Sequence, residues 1–196
     1  MKPAQLRIFQ ALSDLAIPLL GFFLWNWDFY FILLFLLLDY FVFCVFSFVK
    51  ERKIDSHQGI PHRFNLQNFL LTVLLVAASL AILFPAISII NPAFDIAKDT
   101  WAFLAYKDMG IAQGTVLLPL LIFGGYVQYK MQFLVPRKFA TLSKTEVWKM
   151  HFMTILLVLS ASGLLLGTAF LIVFPSIVYI LALIFGVAAY RFFYSR

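Results

Sequence analysis

Six long apolar runs constrain this chain more than any other feature. They cover residues 6–25, 29–49, 66–90, 109–129, 148–173 and 176–193. No water in a bilayer core can satisfy a broken backbone, so a chain that crosses one must be helical or a closed barrel. Barrel strands alternate over about ten residues, whereas these runs are continuously apolar and long enough for helical crossings of about 20 residues. The expected fold is an all-α polytopic integral membrane bundle of about six transmembrane helices, one transmembrane domain over residues 1–196. Phe174, Pro175 and Ser176 break what would otherwise be one helix too long for a single crossing. Composition agrees: 63% of residues are hydrophobic and 12% charged, against about 45–50% and about 25% in ordinary globular chains. A mean hydropathy of +0.95 excludes a soluble enzyme, a disordered tail and a disulfide scaffold.

The basic residues orient the spans. Of the 15 Lys and Arg, 13 fall at the two ends or in the second-to-third and fourth-to-fifth connections, and only Lys98 and Lys107 lie on the other side. The positive-inside rule then places both termini in the cytoplasm, and the expected setting is a bacterial inner (cytoplasmic) membrane. The net charge of +6 is accounted for by attraction to anionic headgroups and needs no nucleic acid. Trp25, Trp27, Trp101 and Trp148 fall at the expected membrane boundaries. Lys2 and Arg7 ahead of the first run resemble a signal peptide's start, but no small-residue cleavage site follows, so an uncleaved anchor is expected. The single cysteine, Cys44, gives no disulfide framework.

The connections carry local signals. Asn91 can cap a helix beginning at Pro92, with Phe94, Ala97, Trp101 and Leu104 on one face. This predicts a short helix lying in the outer interface. Ser143 to Glu146 reads as a capping box that starts the fifth helix before Trp148. Residues 50–53 read as a solvated charge run. In the fifth span Ser160, Gly163 and Gly167 form a small-residue face of GxxxG type, suited to packing within the chain or in a homo- or hetero-oligomer. Thr72, Ser79 and Ala86 give the third span a similar face. Pro18, Pro85 and Pro119 predict kinks without implying function.

Asp14 and Asp39 are the principal candidate site. An acid within a span costs roughly 2.5–3.5 kcal/mol on insertion scales and usually faces the bundle interior. Each lies eleven residues from the first outer turn, about 16 Å deep at 1.5 Å per residue and therefore near the midplane. If they share a seam, the two carboxyls titrate as one unit. No Lys or Arg lies deep in a span to neutralise them, and Gln113 and His151 are too shallow to be obvious partners. A structural hydrogen-bond role, a proton or cation pathway, and substrate binding or catalysis all remain open.

Other chemistries find no support. His57 and His62 lack a Cys partner for zinc, and a single span histidine, His151, cannot hold a haem between two. The stretch Ser160-Ala161-Ser162-Gly163 resembles the serine loop of rhomboid proteases, but no histidine in the sixth span supplies the base. No phosphate loop or HExxH occurs, so no metal, cofactor or catalytic residue is assigned. Residues 21–53, with Trp25-Asn26-Trp27-Asp28, the apolar run into Leu38-Asp39-Tyr40 and the Lys-rich exit, resemble the opening hairpin of a family of uncharacterised bacterial multi-pass membrane proteins. The resemblance spans about a sixth of the chain and implies no activity. The expectation is a proton or cation pathway or sensor using Asp14 and Asp39. The alternative is a structural or assembly subunit using the glycine face of the fifth span.

Overall fold

The computed structural model describes residues 15–25, 27–105, 113–172 and 174–194. The described chain is all-helical, with no strand. Helix α1 runs over Leu15–Leu24, α2 over Phe29–Gln58, α3 over Leu66–Ile90 and α4 over Ile96–Ala105. Then follow α5 at Gln113–Tyr129, α6 at Lys144–Leu171 and α7 at Ser176–Tyr194. A π-helical turn, Lys130–Leu134, and a 3-10 turn, Lys138–Ala140, join α5 to α6. Three helices, α2, α3 and α6, are long and apolar enough to cross a membrane, which makes the chain compatible with membrane insertion.

Local chemistry sets the ends of these helices. Asp28 caps α2 by accepting from Phe31 N at 2.8 Å, filling one of the orphan donors of the first turn. The far end of α2 closes at Gly59, whose φ of 67° is the left-handed conformation that favours glycine. Helix α2 therefore runs nine residues past Val49 and absorbs the charge run expected to be solvated. Of those four residues only Arg52 is exposed, while Glu51 is 3% exposed. Ser143 and Glu146 form the reciprocal capping box at the start of α6.

The short helix expected between α3 and α5 is present as α4 but begins later than the sequence suggests. Asn91 ends α3 instead of opening the next helix. Asp95 supplies the cap, accepting from Lys98 N at 2.9 Å, while Asp99 accepts from Asp95 N at 3.0 Å. Its buried anchor is Phe103, 2% exposed, set edge-on against Trp27 and Phe31. Trp101 instead stands 70% exposed.

Helix α2 is the hub, packing against α4, α5, α6 and α7, while α3 lies along α6 in the most extensive helix pair. One apolar cluster gathers Trp27, Phe29, Ile32 and Phe35 with Phe103, Tyr179 and Ile184. A second, at the other end of the bundle, joins Ile54 to Tyr129, Phe133 and Val147. Gly125 lets α5 approach α2 closely, since a Cβ there would lie 2.6 Å from Val42 and 2.7 Å from Phe46. The outward faces are apolar: Phe123, Leu164, Phe170 and Leu171 are all largely exposed. A surface of that kind is unusual on a water-soluble monomer.

Candidate functional site

The two predicted acids fare differently. Asp14 lies outside the described residues, and with it the question of the pair. Asp39 is half-buried on α2 and has an interaction partner. Ser160, Gly163 and Gly167 lie on the open side of α6: all three are exposed, and a Cβ added at either glycine would meet nothing within 4 Å. The glycine face is thus not a packing seam within the described chain. The face of α6 that does pack carries His151, Ile155, Ser162 and Ala169.

His151 is the polar centre of the bundle, 1% exposed. Its Nδ1 lies 3.1 Å from Ser47 Oγ on α2, and its Nε2 lies 3.0 Å from Thr72 Oγ1 on α3. Phe43 stacks on the ring at 5.9 Å, and Trp148 meets it edge-on at 4.9 Å. Each hydroxyl also donates back to its own helix, Ser47 to Phe43 O at 3.1 Å and Thr72 to Asn68 O at 2.7 Å.

Counting protons gives this arrangement chemical meaning. A hydroxyl has one proton to donate. While both hydroxyls donate to their carbonyls, both ring nitrogens must donate to the hydroxyls, which only an imidazolium can do. A neutral ring needs one hydroxyl to rotate and donate inward. Protonation of His151 is therefore tied to hydroxyl orientation on two other helices, and Ser47, His151 and Thr72 form a continuous hydrogen-bonded chain across α2, α6 and α3.

The seam continues along α2 at four-residue spacing. Asp39, Phe43, Ser47, Glu51 and Asp55 make a slowly winding stripe about 24 Å long. Against it α6 runs antiparallel, so Ser47 meets His151 and, two turns on, Asp55 meets Lys144. Glu51 and Trp148 fall in the turn between. Glu51 Oε2 and Trp148 Nε1 are buried and have no hydrogen-bond partner among the described residues. Asp55, fully buried, closes the end. Lys144 Nζ lies 2.5 Å from its Oδ1, and His62 Nδ1 lies 2.9 Å from its Oδ2. Burial alone would raise the Asp55 carboxyl, but Lys144 and His62 outweigh it and hold it below the usual carboxylate range.

Sequence reading missed Ser47, Glu51, Asp55 and Lys144 as members of a site, and took His151 as peripheral. The signal was the four-residue repeat of polar groups Ser47, Glu51 and Asp55 in α2, in register with Asp39 two turns earlier. Thr72 was noted for its size, and its partner was not. Among the described residues no group of three or more His, Cys, Asp or Glu is placed to hold a metal ion. Comparison with protein-family models, with characterised proteins and with solved structures finds no match to this chain.

Proposed function

We propose that this chain is a multi-pass membrane protein of about six spans, with both ends cytoplasmic in a bacterial inner membrane. Its seam between α2, α3 and α6 passes or senses protons. The observation that carries the reading is a fully buried histidine with each ring nitrogen on a hydroxyl from a different helix. Buried ionisable groups on apolar helices are costly and belong to ion or proton pathways by default. Asp39 and Asp14 supply the midplane carboxylates in this reading, and Asp55 with His62 and Lys144 forms the cytoplasmic end. The positive-inside bias supports the orientation.

The test is proton entry into proteoliposomes under a pH gradient and a membrane potential. Wild type is compared with His151→Phe and with the double variant Asp14→Asn, Asp39→Asn. Loss of flux in variants that keep their helical content and unfolding temperature supports the pathway. An inert wild type under both driving forces rejects an unassisted pathway.

A second reading, an assembly subunit of a membrane complex, is favoured by one feature. The Ser160, Gly163 and Gly167 face is open on a helix whose other side is packed. Gly163→Leu would then abolish co-purification of a partner or of a second copy, with proton flux unchanged.

A further inference from the structure

Two polar clusters share the seam between α2 and α6 without meeting. Ser47 and His151 belong to one, Asp55 with Lys144 and His62 to the other. Ser47 and Asp55 are about 12 Å apart along α2, far beyond the reach of one hydrogen bond. Glu51 lies halfway, one turn from each. Its side of the helix is fixed by those neighbours, since both meet α6. Level with it on α6 is Trp148, between Lys144 and His151. The Trp148 ring lies 4.9 Å from Phe48 on α2 and 4.9 Å from His151, so it covers the face of α2 that carries Glu51.

Glu51 is 3% exposed and Trp148 5%. Among the described residues, Glu51 Oε2 and Trp148 Nε1 have no hydrogen-bond partner, and Glu51 makes no ion pair. A carboxylate oxygen accepts and an indole N–H donates, so the two needs are complementary. The charged groups around Glu51 are otherwise placed. Lys50 and Lys53 lie over Phe43 and Phe139, the latter ring next to Lys138 of the 3-10 turn. Lys144 of α6 and His62 of the α2–α3 connection are held by Asp55, and His151 by its two hydroxyls. From α5 comes Tyr129, packed beside Ile54. We propose that Glu51 is the proton carrier between the two clusters, its carboxyl joined to Trp148 Nε1 by one enclosed water molecule. The water accepts from the indole N–H and donates to Glu51 Oε2. A proton leaving the His151 imidazolium restores the neutral ring and converts the Glu51 carboxylate to the acid. Its onward loss at the cytoplasmic end restores the carboxylate. This inference deepens the proton reading above and rests on it.

The experiment is infrared difference spectroscopy of the full chain in bilayers, paired with proton entry into proteoliposomes. On a step to lower pH, the carbonyl band of a protonated carboxyl should appear and shift on deuteration. It should be absent in Glu51→Gln and kept in Asp55→Asn. Trp148→Phe, which removes the N–H and keeps a ring in place, should displace the band. Glu51→Gln should cut proton entry about tenfold or more with helical content and unfolding temperature kept, which burial alone would not produce. If Glu51→Gln fails to fold, the position of the band in Trp148→Phe decides. A wild type without a band that Glu51→Gln removes would overturn the inference, and so would a band unmoved by Trp148→Phe. A conducting wild type matched by its Glu51→Gln variant would overturn this inference alone, whereas an inert wild type rejects the pathway as a whole.

Discussion

His151 needs two hydroxyls, and each of them can be removed with little change of shape. Thr72→Val leaves Nε2 buried with no partner, a loss of about 1–3 kcal/mol. The unfolding temperature should fall by roughly 2–4 °C for each kcal/mol. Ser160→Ala, which removes an exposed hydroxyl bonded only to its own helix, should stay within about 0.5 kcal/mol of wild type. Differential scanning fluorimetry in detergent separates the two. Asp55 makes a pH-dependent contribution. Its folded-state pKa is depressed, so the stability it adds is full above the ordinary carboxylate value and is lost as pH falls through the depressed one. The unfolding temperature of wild type should drop below about pH 4, and Asp55→Asn should be less stable at pH 7 with a flatter acid limb. Neither group was legible as part of a site in the sequence. Depth follows from residue count, but azimuth and tertiary partners do not. His151 found its partners in Ser47 and Thr72, 104 and 79 residues away.

Helix ends were legible where the chemistry was local and misread where it was shared. The capping box at Ser143 and Glu146 involves four consecutive residues and forms as its spacing implies. Asn91 could serve the helix before it or the one after, and it closes α3, leaving Asp95 to start α4. The charge run after Val49 was misjudged because charges at i and i+4 can face inward on a helix that continues. Glu51 and Asp55 do so. Small residues divide in the same way. Gly125→Ala on α5 drives a methyl into Val42 and Phe46, and overpacking of this kind costs about 1–3 kcal/mol. Gly163→Ala on α6 meets open space and should hold or raise stability by up to about 1 kcal/mol through helix propensity. Paired unfolding curves for the two variants check both halves of that prediction.

For the whole molecule, the all-helical class followed from the apolar runs, because hydrocarbon leaves a continuous run few alternatives to a helix. The three long helices and their apolar outer faces are compatible with a bilayer. The proposed orientation makes its own prediction. With Cys44, the sole cysteine, replaced by Ala, a cysteine at Arg52 should resist a membrane-impermeant maleimide added to intact cells. One at Trp101 should react with it. The most direct test of the proposed proton-carrying seam is nitrogen NMR of His151 in bilayers, its signals assigned by their loss in His151→Phe. The account predicts that both ring nitrogens are hydrogen-bonded, exchange with solvent deuterium, and change protonation when the pH is stepped. A ring fixed in a single neutral tautomer, protected from exchange and indifferent to pH wherever the protein stays folded, would contradict it.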